Sequence, residues 1–178
     1  PMFTFNDVSK FFKITPCGIF LVTSYTNCYK QERITFSSIK DLLPLEAIKR
    51  IELEKDPVNW PRLCSNYFST AKSNGKSDSF IKPALDYLYD RTIKENNTLG
   101  YDAYYRIKSY QYLTNNELDS AISYGYKILA FKDQHDSIDP SHGYHILGLS
   151  YFYKDQNSDS TRQYWTRGYK EAEIKKDK

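Results

Sequence analysis

The sequence predicts an all-α chain of two to three stacked helical hairpins, forming an αα-superhelix behind a small N-terminal appendage. Three observations carry this expectation. From Ser37 onward apolar residues recur at three- and four-residue steps, the period of a helix with one buried face. Glycine and proline number only 7 each, so long helices are permitted. The helical segments come in pairs, joined by short polar turns and repeating at a near-regular interval. Hydrophobic residues make up 40% and charged residues 26%, enough of the first to build a packed core.

The first 36 residues differ from the rest. Pro1 stands before Met2, which reads as the natural start. Lys10 and Lys13 precede the run ITPCGIFLVTSY, residues 14–25. A basic region followed by about a dozen apolar residues has the proportions of a secretory signal. The run is too short to span a membrane, which needs ~20 apolar residues. Val22 and Ser24 suit a signal-cleavage site, whereas Tyr25 and Asn27 are poor neighbours for a lipoprotein cysteine at Cys28. Pro16 and Gly18 interrupt the run and Asp7 sits in its basic flank. The second reading is a β-hairpin, with Ile19–Thr26 and Tyr29–Phe36 as strands and Asn27–Cys28 as the turn. Signal or anchor and folded hairpin both stay open. The domain organisation is thus 1–36 for the appendage and 37–178 for the helical domain.

The helices follow in order. Ile39, Leu42, Leu43, Ala47, Ile48, Ile51 and Leu53 form an apolar stripe; Pro44 suits a first helical turn and Asp56–Pro57 ends the segment. A first pair covers Val58–Ser73 and Asp78–Lys94 around an Asn74–Gly75 turn. A second covers Tyr101–Leu113 and Glu117–Phe131 around residues 114–116. A third covers Ser141–Lys154 and Ser158–Ile174 around residues 155–157, with Pro140 at its start and Ser141 as the expected cap.

The second and third pairs carry a recurrent spacing. A small residue in the first helix is followed three residues later by Tyr, and nine after that by a small residue in the second helix. Ser109, Tyr112 and Ala121 keep it, as do Gly148, Tyr151 and Ser160; Leu147 precedes Gly148 and Tyr164 follows Ser160 by four. With the stretches YHILGLSYFYK and ELDSAISYGYKIL, this pattern resembles the tetratricopeptide repeat family over about Asp56–Lys178. The resemblance implies a right-handed superhelix in which the small residues let paired helices approach, and each pair covers the apolar face of the last. There are departures. Ser109 to Gly148 is 39 residues, against about 34 in the family, so this repeat is lengthened. Lys108 stands where Leu is usual and Arg167 where a small residue is usual. The first pair is looser: Leu63, Cys64 and Tyr67 imitate its first helix, and Phe80, Ala84 and Tyr87 its second, only with an insertion.

In this family the first helix of each pair lines the concave groove. The resemblance therefore points to Ala103, Arg106, Tyr110, Leu113 and Thr114 in the second repeat, and His142, His145, Leu149, Phe152 and Tyr153 in the third, as partner-binding residues. Tyrosine offers contact area and a hydroxyl at low entropic cost. Tyr112, Tyr151 and Tyr164 read instead as packing between helices. Family members that bind chaperone tails clamp a terminal carboxylate with Lys, Asn and Arg. Arg106 falls at one such position, but Tyr110 replaces the Asn, so that clamp is not expected.

No catalytic or cofactor motif accompanies the repeats. The chain lacks a nucleophile elbow, a Gly-rich phosphate loop, an H-E-x-x-H helix and a dinucleotide fingerprint. His135, Asp136, Asp139, His142 and His145 are the best metal constellation, yet they come from one short stretch without a second ligand helix, and no metal is expected. Cys17, Cys28 and Cys64 fit no zinc spacing; Cys64 occupies a small-residue position and is expected to be buried. A net charge of +3 is too balanced for a nucleic-acid footprint. The expectation is a non-catalytic scaffold for a protein or peptide, without cofactor. Its lengthened repeats are similar to those of bacterial regulators and sensor kinases, where an effector domain adjoins the array. Two alternatives remain. One is a peptide-sensing transcriptional regulator whose DNA-binding domain lies outside residues 1–178. The other is a cell-envelope or secreted protein, touching a membrane only if residues 10–25 act as a signal.

Overall fold

The structure is a computed structural model that describes residues 34–135, 138–155 and 159–176. Residues 34–178 form a unit separate from residues 1–33. The expected signal or hairpin therefore lies outside the described residues, except for its last few. There Phe36, expected to end a strand, instead opens a 3-10 turn over Phe36–Ser38.

Seven α-helices make up the second unit, with no strand among the described residues: α1 Pro44–Glu52, α2 Asn59–Ser73, α3 Asp78–Glu95, α4 Thr98–Thr114, α5 Leu118–Gln134, α6 Ser141–Asp155 and α7 Asp159–Lys176. Leu43 is extended, as a residue before proline must be, and Pro44 opens α1 with no N–H to leave unpaired. Helix α2 buries Trp60, Leu63, Cys64, Tyr67, Phe68 and Ala71, one continuous face at three- and four-residue steps. It stops at Gly75, whose φ of +71° lies in the left-handed region that favours glycine, and Lys76 N–H returns to the Ala71 carbonyl. Ser77 Oγ caps α3 by accepting from the Phe80 N–H at 3.3 Å.

Asn96, at φ 47°, ends α3, and Asn97 caps α4 through Gly100 N–H at 2.8 Å while its own Nδ2 donates to the Pro57 carbonyl at 2.8 Å. Helix α4 thus begins at Thr98, earlier than the expected Tyr101. At α6, Ser141 is the first helical residue rather than the cap, and Asp139 Oδ1 takes its N–H at 2.9 Å.

The helices pack as the pairs α2–α3, α4–α5 and α6–α7. Each second helix also packs on the first helix of the next pair, α3 on α4 and α5 on α6. The first helices touch one another in a row, α2 to α4 to α6, whereas among the described residues the backbones of α3, α5 and α7 stay apart. This is the arrangement of a helical-repeat stack, with α1 packed on α2 and α3 as an added layer. The 39 residues from Ser109 to Gly148 are taken up by the 17-residue α5 and the connection between Gln134 and Ser141.

Close approaches at small residues hold the pairs together. A Cβ on Gly148 would fall 2.2 Å from the Trp165 ring, and one on Gly100 2.2 Å from Thr92 Oγ1. The small residue expected at Arg167 is supplied one position later, by Gly168, whose added Cβ would lie 3.1 Å from Tyr144 Cβ. Arg167 itself is exposed. Tyr112 packs against Tyr124 with ring centroids 5.3 Å apart, and Tyr151 stacks on Tyr164 at 5.6 Å, so these tyrosines do join helices. Tyr126 Oη completes that cluster, 2.6 Å from Tyr164 Oη and 3.2 Å from Tyr151 Oη.

Candidate functional site

The row of first helices forms the floor of a groove of about 640 Å³. Helix α2 contributes Ser65, Ser69 and Ser73 at four-residue spacing, together with Phe68 and Lys72. Helix α4 contributes Arg106, Ile107, Tyr110 and Thr114, again one turn apart, and α6 contributes His142. A second hollow of about 510 Å³ shares Arg106 and His142 and extends over His145, Trp165, Gly168 and Tyr169. The two meet at the Arg106–His142 pair.

That junction is held by a defined set of bonds. Arg106 Nε pairs with the Asp102 carboxylate one turn earlier, 2.8 Å from Oδ2, and its NH2 group donates to the Asp139 carbonyl at 3.1 Å. Ser109 Oγ donates to the Arg106 carbonyl at 2.8 Å and lies 3.5 Å from His142 Nε2. Since the Ser109 proton is already given to Arg106, the Nε2 contact needs the proton on the histidine. His142 is held neutral at physiological pH. Burial first, then the positive charge of Arg106 and the neighbouring His145, pushes it down to about 4. The charge of Lys72 is matched by Asp78 at 2.8 Å. The groove therefore offers hydroxyls, a neutral imidazole, a phenol and apolar carbon, with its cations already paired.

The residues expected at this site do not all arrive there. Arg106, Tyr110, Thr114 and His142 line the first groove, and His145 joins Arg106 and His142 in the second. Tyr110 is 45% exposed, available to a partner. Ala103 is not available: it is buried in the core with Ile107, Leu63 and Phe68, because its side of α4 turns into the helix stack. Leu113 and Leu149 are half-buried and line neither groove. Phe152 and Tyr153 are exposed beyond the grooves, where Phe152 stacks on Trp165 at 6.2 Å and meets Tyr153 at 5.6 Å.

The α2 wall was missed in sequence because the first pair departs from the repeat pattern. Its readable signal is the serine stripe 65–69–73, opposite the apolar face of the same helix. On α7, Trp165 and Tyr169, one turn apart with Gly168 between them, were a similar signal.

Other groups bear on chemistry. Cys64 is 3% exposed and its thiol is pushed up to about 12, chiefly by burial, so it is no nucleophile in the folded chain. Among the described residues no three His, Cys, Asp or Glu side chains gather as metal ligands, and no helix is long and apolar enough to cross a membrane. No protein-family model matches the chain, and neither a curated protein nor a solved structure matches it.

Proposed function

We propose that this chain is a non-catalytic binding scaffold of the tetratricopeptide type, and that it takes an extended peptide or protein segment along the groove of α2, α4 and α6. The observation that carries this reading is the row of first helices. It presents one continuous concave stretch, where Tyr110 stands exposed beside Phe68, four hydroxyl side chains and the neutral His142. Paired cations and a neutral imidazole recognise hydrogen-bonding backbone and side-chain groups better than bare charge. An exposed tyrosine next to an apolar floor supplies the anchor that such interfaces use. The spacing of Ser109, Tyr112 and Ala121, and of Gly148, Tyr151 and Ser160, supports the family assignment.

The test is selection of a displayed random-peptide library on the full chain, followed by calorimetric titration of the enriched peptides. Tyr110→Ala and His142→Ala, checked for retained helicity, are expected to weaken binding about tenfold or more. Enriched peptides indifferent to both changes would move the site elsewhere, and failure to enrich any sequence would remove the peptide-scaffold reading.

A further inference from the structure

Helices α5 and α7 hold matching places in their pairs but differ in what covers them. Helix α5 packs on two sides. Tyr124 and Phe131 lie toward α4, with ring centroids 5.3 Å from Tyr112 and 5.9 Å from Tyr105. Gly125 and Leu129 lie toward α6, against Leu147 and Gly143. In α7 the first side is present: Tyr164 stacks on Tyr151, and Gly168 meets Tyr144. Its second side, at the positions matching Gly125 and Leu129, is Trp165 and Tyr169, with Arg162 before them and Ala172 and Glu173 beyond, all on one stripe. All five are exposed, and no helix of the described residues packs over them.

Trp165 rests one edge on Gly148 and stacks on Phe152, which meets Tyr153. The four rings make a continuous strip, exposed by 42% at Trp165, 44% at Phe152, 58% at Tyr153 and 66% at Tyr169. That leaves roughly 400 Å² of aromatic surface in water, a size that marks an interaction site. A stable interface takes about 800 Å² from each partner, so the strip supplies half and its polar flanks the rest.

Those flanks fit the same surface turned on itself. Helices α5 and α6 run antiparallel, so a helix in the matching place beside α7 is antiparallel to it. Two copies of α7 about a two-fold axis meet in that way. With the axis midway between Trp165 and Tyr169, each Trp165 faces the second copy's Tyr169, and each Arg162 comes level with the second copy's Ala172 and Glu173. Arg162 and Glu173 lie on the same side of the stripe, so opposite charges meet twice. Arg167, level with the axis, is on the far side of the helix. Within one chain Arg162 binds Asp159 at 3.0 Å, with both side chains exposed, and its guanidinium keeps donors for a second carboxylate. We infer that this chain pairs with a second copy of itself through α7, with the Trp165 and Tyr169 rings of the two copies packed together and each Arg162 paired with the second copy's Glu173. The first groove stays open, since no α7 residue lines it, and the inference does not rest on the peptide-scaffold reading.

The test is sedimentation equilibrium of the full chain across a dilution series. The average mass is expected to rise from that of one chain to that of two and to stop there. Tyr169→Glu, at the most exposed ring of the strip, should weaken association about tenfold or more while helicity is kept. Arg162→Glu and Glu173→Arg each set like charges opposite one another at both ends of the interface, and each should weaken it about fivefold. The double variant exchanges the charges and restores the pairing, so it should associate about as well as wild type. A chain that stays single at every concentration, or that passes beyond two copies, overturns the inference. So does a dimer indifferent to Tyr169→Glu, and so does a double variant that associates no better than the single reversals.

Discussion

Gly125 of α5 and Gly143 of α6 lie face to face, and each would put a side chain against the other's backbone. A Cβ on Gly143 would sit 3.2 Å from the Gly125 carbonyl oxygen, and one on Gly125 3.5 Å from the Gly143 carbonyl oxygen. This contact joins the second repeat to the third. It is crowded on both sides, since the Gly143 Cβ would also meet Leu129 at 2.9 Å and Ile128 at 3.1 Å. Ile128 is fully buried and the backbone cannot retreat.

Gly143→Ala therefore sets two effects against each other. Alanine improves helix propensity by about 1 kcal/mol. Overpacking a tight interface costs about 1–3 kcal/mol. The second is expected to win, with a net loss of about 1 kcal/mol in urea unfolding. A gain in stability would mean that α5 and α6 are not held as closely as the glycines indicate.

Arg91 is the matching device at the other end of the stack. It is 9% exposed, lies over the Trp60 ring at 4.5 Å, and donates to the carbonyls of Ile51 at 3.0 Å and Glu54 at 2.8 Å. It also reaches Tyr87 Oη at 2.8 Å and Glu95 at 2.7 Å. The guanidinium thereby fastens the end of α1 and the loop after it onto α3. Arg91→Met keeps the stem but removes every donor, and is expected to cost about 3 kcal/mol. Arg91→Lys should fall between the two, because an ammonium cannot reproduce the planar fork. Equal stability of all three proteins in thermal unfolding would contradict this role.

Much of this architecture was readable in advance, and the exceptions have local causes. The paired helices follow from apolar period and turn residues: Gly75 and Asn116 take positive φ in the two turns where Asn-Gly and Asn-Asn stand. The start of α4 was misread because Asn96, Asn97 and Gly100 look like loop. In fact Asn97 is a cap, and Gly100 sits inside the helix to let Thr92 approach. Lys108, where the resemblance led to an expectation of Leu, lies over the Tyr112 ring. The groove was half legible. Arg106, Tyr110, Thr114 and His142, expected from the resemblance, line the groove, but the resemblance could not distinguish Ala103 as core, since both sides of α4 carry small and aromatic residues. Nor could it supply α2, whose pair breaks the pattern.

Burial makes a direct chemical prediction for Cys64. With the thiol at 3% exposure and pushed up to about 12, almost none is thiolate at pH 8. Iodoacetamide under native conditions should leave Cys64 unmodified, and the same reagent in concentrated urea should label it fully, as read by peptide mass mapping. Native labelling within minutes would show that the α2 core opens far more readily than its packing allows.

His142 gives the groove a pH dependence whose sign can be worked out. In the unfolded chain an imidazole titrates near ~6.5. In the fold it is lowered to about 4, by burial first and then by Arg106 and His145, with Asp139 opposing them. Between those values the unfolded chain binds a proton that the folded chain refuses. Stability from this group is thus complete above ~6.5 and is lost as pH falls toward 4. After allowance for the part of the ring that water reaches, the loss is about 2 kcal/mol. Carboxylates such as Asp78 and Glu54, also lowered, weaken the fold at the acid end too, so the informative quantity is a difference. Glu54 is lowered although burial pushes it up, because the Asp56 and Lys55 amides and Asn59 outweigh that burial. Urea unfolding of wild type and His142→Gln at steps from pH 7.5 to 4 should give curves that diverge only below ~6.5, with wild type falling more steeply. Parallel curves would mean that His142 is solvated and free to ionise, and the neutral imidazole would then have to be removed from the account of what the groove binds.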